Sequence, residues 1–323
     1  MGYLETHIPN KLFIRRFVDF IKSRRLMQYY SQTQDRLKVD SKQIVYMADG
    51  KMHHGGLADR LCGMVSAYNF CKKNGYKFKI YFVSPYDLSD ILEPGMYDWR
   101  ISQEELTYNS KDAYPVYISN IPVYEDSERY FHSKIDKLKA NQIHLYTNAR
   151  YFHIEEFPGL FKELFKPCKR LQEMIDQNRR QLPEHYISLT FRFQQLLGDF
   201  KEDGFPTLES QEEKNALINK CLKCIEDLHR ETNSTMLVTS ESQTFLAKEN
   251  EFDFFYIIPG SIRHMDYNHD ENINISVDMK SFVDFYLLAD ADRLYSCCYK
   301  PLYFTGFPLT ASYVKNRKFE RLL

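Results

Sequence analysis

Short β-rich runs alternate with helical runs over the C-terminal half of the chain, and this alternation restricts the fold more than any other pattern in the sequence. The predicted strands are Tyr186–Phe191, Thr235–Ser240, Phe254–Ile258 and Arg293–Cys297, and the predicted helices between them are Glu209–His229, Thr244–Glu249 and Ser276–Ala289. Strands that alternate with helices in this way predict a parallel, doubly wound α/β domain.

The same alternation begins in the N-terminal half. A β-rich run ends at Ala48, a loop with two adjacent glycines, Gly55 and Gly56, follows it, and apolar residues then recur at helical spacing from Leu57 to Cys71. Gly75 stands where glycine commonly follows the end of a helix. Strands of this half are predicted at 43–48, 77–83, 115–124 and 141–149. The first strand, the helix and the second strand predict a right-handed βαβ unit.

Length and a break near residue 165 predict two domains. A chain of 323 residues accommodates two domains of about 150 residues each. Pro167 breaks the pattern, and a linking helix follows it before the second alternation begins. We expect a separate segment over 1–42 and Rossmann-like domains over 43–165 and 166–323, facing a cleft lined by the carboxyl ends of their strands.

The charge balance gives no sign of a nucleic-acid partner. The chain carries 43 Lys and Arg against 44 Asp and Glu, a net charge of −1, and contains no nucleic-acid-binding motif. Its seven cysteines are irregularly spaced, which is typical of reduced thiols. Because the sequence shows no apolar run of membrane-spanning length and no signal peptide, it predicts a cytoplasmic protein.

Residues 11–30 combine positive charge with apolar side chains at helical spacing, such as Phe13, Phe17, Phe20 and Ile21. The six cations are Lys11, Arg15, Arg16, Lys22, Arg24 and Arg25, against the single acid Asp19. A basic amphipathic helix of this kind can lie on an anionic membrane surface as a peripheral contact. The other interpretation is a helix that packs on its own domain.

The loop after the first strand contains the stretch "HHGGLADRLCG", from His53 to Gly63. Two glycines between a strand and a helix allow a tight turn and let a ligand approach backbone N–H groups, which attract anions. The stretch matches neither the dinucleotide-binding glycine pattern nor a Walker loop. A plain strand-to-helix turn is the alternative interpretation.

Four stretches, taken in order, resemble motifs of the fucosyltransferase-like glycosyltransferases, which include α1,2-, α1,6- and protein O-fucosyltransferases and bacterial polysaccharide enzymes. The first is the Gly-Gly-Leu-Ala-Asp-Arg turn, and the others are "SLTFRFQQLLGDF", "LVTSESQTFLAKENEF" and "SFVDFYLLADADRLYSCCYKPLYFTGFP". The resemblance covers about residues 43–310. It implies a GT-B fold and an inverting, metal-independent transfer of a sugar, most often fucose from GDP-fucose, to a hydroxyl of a bacterial surface glycan.

The resemblance assigns Arg192, at the end of a predicted strand, to the diphosphate of the nucleotide sugar. A bidentate cation can neutralise the departing diphosphate without a metal. The family often has a second arginine at the next position, where this chain has Phe193, and Lys300 could supply the missing charge. A surface ion pair is the alternative role for Arg192.

Inverting transfer needs a carboxylate that takes the proton of the acceptor hydroxyl. The family places its base in or near the loop that follows Arg192, where this chain has Asp199 and Glu202. Asp199 is the first choice for the base and Glu202 the second, and a solvated loop acid is the alternative role for either.

The resemblance also assigns donor-binding residues. Asp284 occupies the position of an acid that bonds the ribose hydroxyls, and Ser240 and Glu241 stand where the family usually has two acids. The other assigned residues are Thr239, His53, Gly55, Gly56 and Arg60. Arg60 has an alternative structural role, in which it ties its helix to a neighbouring loop.

No resident metal or cofactor is expected, and the substrates are a nucleotide sugar and a glycan acceptor that could be lipid-linked. Asp290-Ala291-Asp292 looks like a metal-binding DxD motif, but it lies at a helix end, where capping is the preferred interpretation. Two other functions stay open at this point. One is the same fold with another nucleotide sugar, and the other is a catalytically inactive sugar-nucleotide-binding or assembly protein.

Overall fold

The computed structural model describes residues 9–37, 41–120, 124–200, 204–262, 265 and 275–323. The chain divides into two compact units. The first comprises Met1–His54, Asp59–Ser84 and Tyr97–His153, and the second comprises Gly55–Ala58, Pro85–Met96 and Ile154–Leu323.

Helices and strands alternate along most of the described residues, except that β2, β3 and β4 follow one another without an α-helix between them. The helices are α1 (Pro9–Leu26), α2 (Leu57–Asn74), α3 (Tyr124–Ile135), α4 (Phe157–Leu164), α5 (Lys169–Arg179), α6 (Gln211–Thr232), α7 (Gln243–Leu246), α8 (Ile275–Asp290) and α9 (Phe307–Val314). The strands are β1 (Gln43–Ala48), β2 (Lys77–Phe82), β3 (Leu92–Pro94), β4 (Ala113–Ile118), β5 (Gln142–Thr147), β6 (Phe165–Pro167), β7 (Ile187–Phe191), β8 (Met236–Thr239), β9 (Phe255–Tyr256), β10 (Arg293–Cys297) and β11 (Lys318–Leu322).

The first unit is built on a four-stranded sheet with the order β2-β1-β5-β4, and all its strands are parallel. Every residue of β1 is buried, as expected of a strand with both faces covered. Gly63 lets α2 lie directly on the end of β5, because a Cβ added there would stand 2.2 Å from the carbonyl oxygen of Thr147. Glycine is therefore required at position 63, inside α2, by helix-to-strand packing.

The second unit is built on a five-stranded parallel sheet with the order β11-β10-β7-β8-β9. The chain runs from β7 to β8 and β9 on one side and then returns to β10 and β11 on the other side. The strand order therefore reverses at β7, and ligands of open α/β sheets bind outside the carboxyl ends of the strands at such a point. Phe191, Phe193 and Phe245 pack in the core of this unit.

Helix α1 packs on β4 of its own unit. The carboxylate of Asp19 is fully buried, and its Oδ2 accepts hydrogen bonds from the amide and hydroxyl of Ser119 at 3.0 and 3.1 Å and from the hydroxyl of Tyr130 at 2.9 Å. The packed-helix interpretation of the N-terminal segment therefore holds for the described part of α1. No helix among the described residues combines the length and apolar character needed to cross a membrane.

Two parts of the sequence-based assignment were wrong. The strand expected over 115–124 ends at Ile118, and Tyr124 begins helix α3, whose last turn carries His132 and Lys134, where cations favour a helix. The series of elements also does not end at Cys297, because α9 and the edge strand β11 follow it. Pro308 at the start of α9 is a typical helix-start residue.

Candidate active site

Arg192 follows β7 directly, at the point where the strand order of the second unit reverses. Its side chain is 20% exposed, its Nη1 lies 3.5 Å from Oε1 of Glu241, and its guanidinium stands 5.1 Å from the ring centroid of Phe200. The backbone oxygen of Arg192 accepts a hydrogen bond from the amide of Tyr303 at 3.0 Å. A half-buried cation is therefore held at the carboxyl end of the central strand, where a ligand is expected.

Glu241 is the buried partner of this arginine. Its burial raises the pKa of the carboxyl, and the charge of Arg192 opposes that shift. The carboxylate also accepts a hydrogen bond from the amide of Gln194, whose φ of 54° is in the left-handed region that few non-glycine residues adopt. Glu241 therefore fixes both the arginine and the turn that follows β7, a role that the sequence did not reveal.

The other two residues of the predicted nucleoside loop are also buried. The hydroxyls of Thr239 and Thr190 hydrogen-bond at 2.9 Å between β8 and β7, and Oγ of Ser240 accepts from the amide of Ser242 at 3.2 Å. These contacts hold the ends of the two strands together. Contact of Thr239 or Ser240 with a nucleoside stays a prediction.

Asp199 joins the loop after β7 to the start of α7. Its Oδ2 accepts hydrogen bonds from the hydroxyl of Ser242 at 2.8 Å and from the amide of Thr244 at 2.7 Å. Nothing in the described part of the chain donates to its Oδ1. The residue is exposed, so the structure fixes Oδ2 of a solvent-exposed carboxylate with two hydrogen bonds. Glu202, the second candidate base, lies outside the described residues.

Two lysines lie on loops and helices at the same end of this sheet. Lys300 is exposed in the turn after β10, the neighbour of β7, and its backbone oxygen accepts from Nζ of Lys220 at 3.5 Å. Lys214, in the first turns of α6, lies beside Gly198 of the loop after β7, because a Cβ added at Gly198 would stand 3.3 Å from its Nζ. No carboxylate of the described residues pairs with Lys214. This lysine was not predicted from the sequence, because a helical pattern does not indicate which loop the helix will contact.

Asp284 lies on α8 and is completely buried. Both of its carboxylate oxygens accept from Nζ of the equally buried Lys280, at 2.7 and 2.5 Å. Burial raises the pKa of Asp284, and the lysine opposes that shift. In the structure, Asp284 is therefore the buried partner of Lys280. The hydrogen bond from Asp284 to a ribose hydroxyl stays a prediction.

Asp284→Ala should lower the free energy of unfolding by about 3–5 kcal/mol, because it leaves the Lys280 ammonium buried without its partner. The double variant Lys280→Met/Asp284→Leu should regain most of that loss. Thermal unfolding of the three proteins measures both effects. If the double variant folds normally but has lost nucleotide affinity, Asp284 contacts the nucleotide after all.

The remaining predicted residues lie in the loop after β1 and in the first turn of α2. His53 is exposed, and Gly55 has a φ of 80°, which suits glycine, whereas a Cβ on Gly56 would meet open space. Arg60 is buried, its Nη1 donates to the backbone oxygen of Ser84 at 2.9 Å, and its guanidinium stands over the ring of Phe82. These contacts tie α2 to the loop after β2, which is the structural role weighed for Arg60 from the sequence.

Both aspartates of the DxD-like sequence, Asp290 and Asp292, pair with basic side chains. Asp290 pairs with Arg179 at 2.9 Å and with Lys315, and Asp292 lies 3.0 Å from His185. Within the described ranges, no group of three or more His, Cys, Asp or Glu side chains could hold a metal ion.

The fold is the GT-B type of nucleotide-sugar glycosyltransferases, with two units that each contain a parallel sheet. The predicted fold class is confirmed by solved structures. A single-substitution variant of Arabidopsis thaliana FUT1 in complex with GDP has 14% identity and a TM-score of 0.54, covering 100% of this chain and 79% of its own.

Two structures of NodZ have the same fold as this chain. The α-1,6-fucosyltransferase NodZ soaked with GDP-fucose has 12% identity and a TM-score of 0.55, and the alignment covers 85% of this chain and 93% of that one. Fucosyltransferase NodZ from Bradyrhizobium has 13% identity and a TM-score of 0.56, with 84% and 93% covered. No family model and no curated protein matches the sequence.

Proposed function

We propose that this chain is an inverting glycosyltransferase that transfers fucose from GDP-fucose to a hydroxyl of a bacterial surface glycan. The observation that carries the proposal is the position of Arg192 at the carboxyl end of β7, where the strand order reverses and a diphosphate is expected to bind. The fold shared with fucosyltransferases, two of them studied with GDP or GDP-fucose, supports the choice of donor.

In the proposed reaction, the oxygen of the acceptor hydroxyl attacks the anomeric carbon of the sugar while the bond from that carbon to the diphosphate oxygen breaks. Asp199 accepts the hydroxyl proton on Oδ1, because Oδ2 is already bonded to Ser242 and Thr244. Arg192 neutralises the charge that builds up on the departing diphosphate, and Lys300 adds a second cation. Glu241 keeps Arg192 in place during the reaction.

The acceptor belongs to a cytoplasmic stage of glycan assembly and is lipid-linked, and peripheral contact of residues 11–30 with an anionic membrane brings the enzyme to it. The basic residues of this stretch support that part of the proposal.

A thermal-shift screen with GDP, UDP, CMP and their sugars tests the donor. A ligand at about 100 times its Kd adds roughly 2.7 kcal/mol to the free energy of unfolding, so binding is readily measured. We expect stabilisation by GDP and GDP-fucose. Stabilisation by UDP or CMP alone would favour the same fold with another nucleotide sugar. Binding of GDP-fucose without transfer to any acceptor would favour an inactive sugar-nucleotide-binding protein.

Transfer should persist in EDTA, because Arg192, Lys300 and backbone N–H groups are expected to neutralise the diphosphate without a metal. The rate of GDP release from GDP-fucose, measured with and without EDTA, checks this expectation. Activity that is lost in EDTA and returns with Mn²⁺ or Mg²⁺ would contradict it. In that case Asp290 and Asp292 would be the first residues to substitute, with Lys315→Ala as a control that removes one ion pair of Asp290 and leaves both carboxylates in place.

A further inference from the structure

The face of α1 that packs on its own unit is largely polar. Over 14–26, the part of α1 whose side chains are described, Asp19, Ser23 and Leu26 are buried. Oγ of Ser23 accepts a hydrogen bond from the amide of Tyr117 at 2.9 Å, and the carboxylate of Asp19 accepts three from Ser119 and Tyr130. The helix is therefore anchored by hydrogen bonds to β4, to the residue that follows it and to α3, and Leu26 adds apolar packing at its end.

The opposite face of α1 carries apolar side chains that are exposed. Ile14, Phe17, Val18 and Phe20 are 58%, 56%, 40% and 54% exposed. Ten large apolar side chains are exposed among the described residues, and these four lie within two turns of one helix. A concentration of exposed apolar surface in one place marks an interaction site, whereas single exposed residues need no explanation.

The charge around this apolar face is positive. Arg24 and Arg25 are exposed beside it, and the only acid within α1 is Asp19, which is buried on the inner face. Arg15 and Lys22 donate hydrogen bonds to the backbone oxygen of Asn120 and to the hydroxyl of Tyr117, and the guanidinium of Arg16 stands 5.4 Å from the ring centroid of Tyr130. The exposed face of α1 therefore carries apolar groups and cations without a negative charge.

We infer that this outer face, made of Ile14, Phe17, Val18, Phe20, Arg24 and Arg25, binds the surface of an anionic lipid bilayer while α1 stays docked on β4. A single helical face on which apolar side chains stand beside cations matches the interface between lipid headgroups and acyl chains. The absence of acids favours anionic lipid over a protein partner with a mixed surface. Only the purpose of membrane binding, which is access to a lipid-linked acceptor, rests on the proposed function.

Co-sedimentation of the full chain with vesicles tests the inference. Vesicles of phosphatidylcholine with 30% phosphatidylglycerol should bind the protein at low salt, and vesicles of phosphatidylcholine alone should not. Ile14→Ser/Phe17→Ser should lower the partition coefficient at least about tenfold by removing apolar contact. Arg24→Glu/Arg25→Glu should lower it at least about tenfold by removing charge attraction. Added salt should weaken binding of the unsubstituted chain.

Control variants make comparable changes elsewhere on the surface. Met96→Ser removes an apolar side chain that is 79% exposed, and Lys169→Glu/Arg180→Glu reverses two exposed charges, one at the start of α5 and one directly after its end. Both controls should bind vesicles like the unsubstituted chain. Circular dichroism establishes that every variant is folded, and thermal shift with GDP should give the same stabilisation in all of them, because the outer face is not part of the nucleotide site.

The inference is overturned if the unsubstituted chain does not bind anionic vesicles, or if the α1 variants bind as well as the controls. A dimer in analytical ultracentrifugation that both α1 variants convert to a monomer, without vesicle binding, would assign the outer face to a second copy of the chain. Vesicle binding without any GDP binding would leave the lipid surface standing and remove the proposed function. The two ideas can therefore fail separately.

Discussion

Arg192→Ala should weaken GDP binding at least about 30-fold and reduce transfer by at least as much. The reason is that truncation of one member of a desolvated charge pair typically costs 2–5 kcal/mol. Both effects are expected because the arginine is proposed to contact the diphosphate before and during bond breaking. Calorimetric titration with GDP and the rate of GDP release from GDP-fucose measure them.

The same substitution leaves the Glu241 carboxylate buried without its cation, so the free energy of unfolding should fall by about 3 kcal/mol. Arg192→Ala/Glu241→Gln should restore stability without restoring GDP affinity. A double variant that regains full GDP affinity would show that Arg192 acts only as a structural partner of Glu241.

The stability of Arg192→Ala should also depend on pH. Burial raises the pKa of Glu241 and Arg192 opposes that shift, so the pKa should be higher still in the variant. A group whose pKa is raised by folding stabilises the protein at low pH, and that contribution is lost as the pH rises through the folded-state pKa. The gap in Tm between the variant and the unsubstituted chain should therefore narrow as the pH falls from 8 towards 5. A gap that widens would contradict the assigned pair.

Asp199→Asn should reduce turnover by about 10²–10⁴, the usual contribution of general base catalysis, while GDP affinity stays nearly unchanged. Asparagine keeps a carbonyl oxygen that can accept from Ser242 and Thr244, so this change preserves the anchor of the loop and removes only the base. Turnover under saturating donor and acceptor, with GDP titration in parallel, separates the two quantities.

Asp199→Ala is the companion variant, because it removes both the base and the anchor. It should lose turnover like Asp199→Asn and in addition lose thermal stability. Glu202→Gln serves as the control for the other acid of the loop. If Glu202→Gln loses turnover and Asp199→Asn does not, Glu202 is the base. If neither change matters, the proposed mechanism is wrong.

The elements predicted best from the sequence are those whose pattern is local. Strand β1 was predicted with the bounds Gln43–Ala48 that the structure shows, because a short β-rich run that leads into a loop with two adjacent glycines is typical of a strand before a helix. Gly75, with a φ of 68°, ends α2 as the glycine pattern predicted. Strand β10 also has the predicted bounds.

The missed parts depend on which strands become neighbours. Glu241 fixes Arg192 only because β8 lies beside β7, and no local pattern states that order. Asp199 reaches Ser242 for the same reason. Asp284 was assigned to a ribose from the resemblance, and its buried ion pair with Lys280, four residues earlier on the same helix, was not predicted. Burial is decided by tertiary packing, so the candidate site was predicted as a set of residues without the contacts that hold it.

Nucleotide release in EDTA from GDP-fucose and from UDP-sugars, measured with a lipid-linked glycan preparation, tests the proposed donor and mechanism together. We expect release of GDP coupled to transfer of labelled fucose into the glycan, little release of UDP, and reduced transfer by Arg192→Ala and Asp199→Asn. Release of UDP from a UDP-sugar with none from GDP-fucose would contradict the proposed donor. Equal rates of fucose transfer by the unsubstituted chain, Arg192→Ala and Asp199→Asn would contradict the proposed mechanism.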